Sequence, residues 1–246
     1  MPISHPLPPD PQHPHPDLRI IDLGRLPYAA AYDLQLMHHA EVLAAREGGL
    51  PEIGRLLLVE HDPPVITISR RPGAGDNLRA SEEFLAGRGI TIAETDRGGD
   101  ITYHGPGQLV IYPIVDLNLL KLGLHTYMRL LEEAVITCCA AYGLPCSRES
   151  GATGVWTDGP NASSPEQPRK IAAMGVRVRR WVTMHGLALN ITTNLTHFDL
   201  IIPCGLVGRE VTSLERELGP NCPTMVEVKR MLSKELTAAL RAEVTN

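Results

Sequence analysis

The chain has 246 residues, enough for one sizeable core or two small ones, and carries 23 basic against 28 acidic residues for a net charge of -5. That balance gives no overall electrostatic case for nucleic-acid binding. Aromatic residues are scarce, with two Phe and two Trp, so aliphatic side chains must build the core.

The first 16 residues, MPISHPLPPDPQHPHP, hold seven prolines and three histidines. Proline lacks a backbone donor and fixes φ, so residues 1–17 read as a disordered tail ahead of a single domain over 18–246. Metal capture by His5, His13 and His15 is the alternative reading of the tail. The tail has no basic n-region and no apolar h-region, and no run approaches the roughly 20 apolar residues of a membrane span. A monomeric, cytoplasmic protein that touches neither membrane nor nucleic acid is expected.

Apolar spacing over 28–46 predicts a helix, stopped by Gly48-Gly49. RLLLVEH (55–61) and VITIS (65–69) predict strands, split by Asp62-Pro63-Pro64. RRPGAGDN (70–77) reads as a loop, and a short helix starts near Ser81 with Glu82 and Glu83 in its first turn. ITIAE (90–94) and QLVIYPIVDL (108–117) are further strands. Residues 126–142 predict a second long helix, ended by Gly143. GVWT (154–157), KIAAMGVRV (170–178) and WVTMHGLALNI (181–191) form a strand-rich middle. The polar, Pro-rich TDGPNASSPEQP (157–168) between the first two is expected to be a mobile loop. A last helix over 224–241 opens with a T-x-x-E capping box of Thr224 and Glu227. Strands come in runs instead of alternating with helices, which favours an α+β fold with a mixed or antiparallel sheet.

One stretch, RGGDITYHGPGQLVIYP (97–113), crowds turn residues against the start of an apolar strand. Gly98-Gly99 and Gly105-Pro106-Gly107 are turn chemistry that lets backbone approach something flat or extended. It is not a phosphate loop, because no G-x-x-x-x-G-K-[ST] occurs and no G-x-G-x-x-G follows a strand. Arg97, Tyr103 and His104 stand beside the turns as polar handles, with His104 either a satisfied structural residue or a functional one.

The five cysteines are odd in number and include no C-x-x-C pair, which argues against a disulfide framework and a structural zinc site. Cys138 and Cys139 fall in a helix pattern and read as small buried hydrophobes, and Cys146 and Cys222 also read as structural. Cys204 differs. It sits in IIPCGLVG between Pro203 and Gly205, at the end of an apolar run, where a tight turn would mount an exposed nucleophile. A structural turn cysteine fits the same residues. A thiolate needs a base or a cation. His104, His185 and His197 are candidates, with Asp199 completing a Cys-His-Asp arrangement. Lys170 is the other, on an apolar strand that would strip its solvation and lower its pKa, with a snorkelling edge lysine as the plain alternative.

HDPPVITISRR (61–71), RGGDITYHGPGQLVIYPIVDL (97–117), RKIAAMGVRV (169–178), HGLALNI (185–191) and FDLIIPCGL (198–206) together resemble the lipoyl(octanoyl) transferase family over most of residues 20–215. The resemblance implies the biotin/lipoate protein ligase-like fold, a mixed β-sheet packed with helices around a substrate tunnel. It implies transfer of an octanoyl group from octanoyl-acyl carrier protein to a lysine of lipoyl domains, without cofactor or metal. The acceptors it implies are the 2-oxoacid dehydrogenase E2 subunits and the glycine cleavage H protein. The family's acyl-thioester cysteine matches Cys204, and its catalytic lysine, opening K-I-A-x-x-G, matches Lys170. Its acyl-pocket segments match Arg97, Gly98, Gly99, Asp100, Ile101, Thr102, Tyr103 and His104, then Ala173, Met174 and Gly175, then Gly186, Leu187 and Ala188. The nearest alternative is an ATP-dependent lipoate or biotin-type ligase on the same fold. Arg169, Arg177, Arg179 and Arg180 are expected to steer acidic partner proteins.

Overall fold

The computed structural model describes residues 17–159, 168–202 and 209–244. In chain order the elements are β1 (Leu18–Leu26), α1 (Tyr28–Glu47), β2 (Gly54–His61), β3 (Val65–Ser69), α2 (Glu82–Ala86), β4 (Thr91–Thr95), β5 (Ile101–His104) and β6 (Gln108–Val115). There follow α3 (Leu124–Ala141), β7 (Ser147–Glu149), β8 (Ala152–Thr157), β9 (Arg169–Arg179), β10 (Val182–Asn190), α4 (Leu214–Leu218) and α5 (Met225–Val244). A seven-stranded sheet runs β1-β2-β6-β10-β9-β8-β7, and a three-stranded sheet runs β4-β3-β5. Both are mixed: β1 lies parallel to β2 and β4 parallel to β3, while the other pairs are antiparallel.

The longest apolar runs become central strands because both of their faces are covered. β2 and β6 are buried at every position. Side chains alternate between faces with a period of two. Leu56 and Leu58 of β2, with Leu109 and Ile111 of β6, enter a first core against α3 and α5. Leu57 and Val59, with Val110, Tyr112 and Ile114, enter a second core against α1. A third cluster, with Ile66, Leu85, Ile101 and Tyr103, holds the small sheet together.

The helix signals in the sequence operate as physical caps. Ser81 Oγ accepts from the Phe84 N–H at 3.2 Å and opens α2. At α5 the box is reciprocal: Thr224 N–H donates to Glu227 Oε2 at 2.8 Å, and Glu227 N–H donates to Thr224 Oγ1 at 3.4 Å. Among the described residues no helix is long and apolar enough to cross a membrane.

Local patterns missed β1, β5, β7 and α4. β5 carries good strand formers, Ile101, Thr102 and Tyr103, but only four residues stand between two turn clusters. The tail and the 160–167 part of the Pro-rich insertion lie outside the described residues.

Candidate active site

Where the small sheet meets the α1 face of the large one, a cleft of about 450 Å³ opens, a volume that includes its mouth. Tyr28 enters from the start of α1; Arg97, Thr102 and His104 come from the stretch through β5; Val110 and Tyr112 come from β6. Ala173, Met174 and Gly175 of β9 and His185, Gly186, Leu187 and Ala188 of β10 complete the wall.

Nine of the sequence-expected pocket residues therefore line one cleft: Arg97, Thr102, His104, Ala173, Met174, Gly175, Gly186, Leu187 and Ala188. Gly98, Gly99, Asp100, Ile101 and Tyr103 are not among its lining residues. Ile101 and Tyr103 are buried in the third cluster, and the Tyr103 hydroxyl meets His197 Nδ1 at 2.9 Å. Burial pushes the Tyr103 phenol up to about 12. Asp100 turns to Arg71, at 3.0 Å.

Glycine is required at two joints of this wall. The Gly98 N–H donates to the Val176 carbonyl at 3.0 Å, docking the 97–104 stretch on β9. A Cβ on Gly175 would lie 2.8 Å from the Gly98 carbonyl oxygen, so only glycine allows that approach. Gly107 has φ +80°, and its carbonyl accepts from the N–H groups of Ile191 and Thr192 at 3.1 and 3.0 Å. The Gly-Pro-Gly turn is thus a joint between β6 and the chain leaving β10.

Sequence reasoning did not assign Tyr28, Val110, Tyr112 and His185 to the pocket. The available signal was the alternation in β6, which puts Val110 and Tyr112 on one face. His185 carries a left-handed backbone at φ 57°, a conformation that costs roughly 1–3 kcal/mol in an L residue. Its N–H donates to Gln35 Oε1 of α1 at 2.8 Å, and its Nε2 lies 2.8 Å from Asp96 Oδ1. Asp96 also accepts from the Tyr32 hydroxyl at 3.0 Å and from Arg177. His185 is therefore tied to Asp96, not to Asp199.

The rings around the cleft are neutral. Burial lowers the His61 pKa to about 4, and its Nε2 meets the Tyr112 hydroxyl at 2.7 Å. Burial, aided by Arg97 and Arg177, lowers His185 to about 3. Burial, aided by His61, Arg97 and His185, puts His104 well below the usual histidine range. Burial also raises the phenols of Tyr28 and Tyr112. Uncharged walls of this kind suit an uncharged, apolar guest. The exception is Arg97, whose guanidinium donates to the Thr67 carbonyl at 2.9 Å and the Gly98 carbonyl at 3.0 Å.

Lys170 is half-buried on β9, its ammonium 4.6 Å from the centre of the Trp156 ring. Ala173 follows three residues later, roughly 10 Å along a strand. The Lys170 N–H donates to the Glu210 carbonyl and its carbonyl accepts from the Thr212 N–H, each at 2.9 Å. Gly154 leaves room beside it, since a Cβ there would lie 3.2 Å from Lys170 Cε. Cys204 lies outside the described residues. The other four cysteines are described, and none lines the cleft. Burial pushes the Cys138 thiol up to about 12. The adjacent Cys146 and burial raise that of Cys139, and burial raises that of Cys222, all against nucleophilic use.

One expectation is corrected. Arg169 does not face a partner: it is buried beside Glu217, with an ion pair at 2.8 Å. Arg177 is committed to Asp96 and Arg180 to Glu47, which leaves Arg179 as an exposed arginine of that group with neither pairing.

The mixed sheets packed with helices have the fold of the lipoate and biotin protein ligases. A bipartite lipoate protein ligase with its E2 lipoyl domain from Thermoplasma acidophilum superposes with a TM-score of 0.65 at 18% identity, covering 93% of this chain and 84% of that one. Biotin protein ligase from Aquifex aeolicus in complex with biotin and ATP superposes with a TM-score of 0.51 at 13% identity, covering 90% and 70%. The family model of the lipoyl protein ligase A/B catalytic domain matches residues 28–237. An octanoyltransferase of Bacteroides fragilis is 47% identical over 219 residues, covering 89% of this chain and 96% of that relative. The chain belongs to the lipoyl(octanoyl) transferase family and is an acyltransferase.

Proposed function

We propose that this acyltransferase moves an octanoyl group from octanoyl-acyl carrier protein to the lysine of a lipoyl domain, through a thioester on Cys204. The acceptors in this reading are the lipoyl domains of 2-oxoacid dehydrogenase E2 subunits and the glycine cleavage H protein. The observation that carries the reading is the setting of Lys170. Its peptide binds Glu210 and Thr212, in the chain that follows residues 203–208, while Ala173 on the same strand lines the neutral cleft.

In the first half-reaction Lys170 lowers the pKa of the Cys204 thiol or takes its proton. The thiolate attacks the donor carbonyl, the acyl–sulfur bond to Cys204 forms, and the carrier's thiol leaves with a proton from Lys170. In the second, the acceptor amine attacks the acyl-cysteine, the amide forms, and Cys204 leaves as the amine's proton passes to Lys170. An amide is far more stable than a thioester, so the transfer runs downhill without ATP. The acyl tail fills the cleft, where burial contributes about 0.8 kcal/mol per CH₂.

The test is intact-protein mass after mixing the enzyme with octanoyl-acyl carrier protein and no acceptor. A gain of one octanoyl group, lost in Cys204→Ala and kept in Cys222→Ala, is expected. No adduct, together with ATP-dependent acylation of a lipoyl domain, would overturn the reading in favour of a ligase.

A further inference from the structure

Behind the cleft wall a line of buried amides joins His104 to Lys170. His104 Nδ1 lies 2.7 Å from Gln108 Oε1. Gln108 Nε2 donates to the Tyr103 carbonyl at 3.2 Å and to Asn190 Oδ1 at 2.9 Å. Asn190 Nδ2 donates to the Thr212 carbonyl at 2.9 Å, and the Thr212 N–H donates to the Lys170 carbonyl at 2.9 Å. Gln108 is 2% exposed and Asn190 4%, so neither bond is made for want of a better use of solvent.

The contacts permit one polarity. The Thr212 carbonyl can only accept, so Asn190 must present its NH₂ there and its oxygen to Gln108. Gln108 then presents its NH₂ to two oxygens, and its own oxygen accepts from His104. His104 must carry its proton on Nδ1. Every donor from His104 to Thr212 points the same way, an arrangement in which the bonds strengthen one another.

We propose that Gln108 and Asn190 are positioning residues: they hold the cleft wall at His104 and the Lys170 peptide in one register, so that a bound acyl chain meets Lys170 correctly placed. This rests on the reading of Lys170 and Cys204 given above. A second consequence concerns His104 itself. With Nδ1–H committed to Gln108, its Nε2 is left as a bare acceptor on a residue that lines the cleft.

Asn190→Asp tests the array. The variant keeps an oxygen toward Gln108 and removes the donor to Thr212. Acyl-enzyme formation from octanoyl-acyl carrier protein is followed by rapid-quench mass measurement across donor concentrations, with melting recorded in parallel. The maximal rate should fall roughly 10–100-fold, as for a small misplacement of a reacting group, while half-saturation shifts less than about twofold. An unchanged maximal rate in a folded variant overturns the proposal. In the wild-type protein, long-range ¹⁵N–¹H NMR of labelled histidines should find His104 protonated on Nδ1; protonation on Nε2 reverses the polarity and overturns it even if the variant does not fold. Absence of an adduct in the wild type itself is a different result, which removes the acyl-cysteine reading.

Discussion

Against α3 and α5 the large sheet presents Leu56, Leu58, Leu109, Ile111 and Leu189. Against α1 and the small sheet the same strands present His61, Tyr112 and His185 with the bare backbone of Gly186. Both faces are buried, yet the first is aliphatic packing while the second sets hydrogen-bonded rings beside an aliphatic core of Leu57, Val59, Val110 and Ile114. Buried polar groups must be hydrogen-bonded, and each such pair constrains its neighbours more than a leucine does. The difference teaches that one face of the sheet serves packing, while the other adds to its own core the shape of a cleft.

The sharpest way to break that comparison is Lys170→Ala, at the residue proposed above to move the proton. Acyl-enzyme formation should slow by about 10²–10⁴-fold with the melting midpoint little changed. A rate within twofold of wild type would remove Lys170 from the proton transfer. The converse is Leu232→Ala, in α5 and fully buried in the first core. Urea unfolding should show a loss of about 2–5 kcal/mol, while the acylation rate of the folded protein stays at the wild-type value.

Acid should act through the cleft face. His61, with a pKa of about 4, and His185, with one of about 3, stay neutral in the folded chain. The unfolded chain protonates them near pH 6.5, so it binds more protons and stability falls as pH drops below that value. For His61 the loss between pH 6.5 and 4 is roughly 2–3 kcal/mol, on the scale of 1.4 kcal/mol per pKa unit. His61→Gln should flatten the measured curve of unfolding free energy against pH; an unchanged slope would place the acid sensitivity elsewhere. The smallest effect is expected from Gly175→Ala, which presses a methyl against the Gly98 carbonyl oxygen. It should cost about 1–3 kcal/mol and weaken binding of the acyl donor, seen as a raised half-saturation.

Much of this was legible in the residues. The strand VITIS was read to its ends, since β3 runs Val65–Ser69. The capping box at Thr224 and Glu227 forms as its spacing requires. The glycines of 97–107 were read as turns that let backbone approach something flat or extended; at Gly107 the close approach is to the chain's own backbone, where a Cβ would lie 2.6 Å from the Thr192 carbonyl oxygen. Less legible was β5, four strand-forming residues hidden between turns. Arg169 was misjudged because an arginine at the start of a strand looks solvent-bound until its partner, Glu217 of α4, is known.

By itself the sequence determined the long helices, the central strands and, through the order of its motifs, the family. Those follow from interactions between residues near one another in the chain: a helical or two-residue period, a cap, a turn. Only the tertiary structure decided that Tyr28, His104, Tyr112 and His185 share one cleft, and that Gln108 and Asn190 run from its wall to Lys170. A strand's period says which side chains share a face, but the neighbouring strand and the covering helix decide what that face meets.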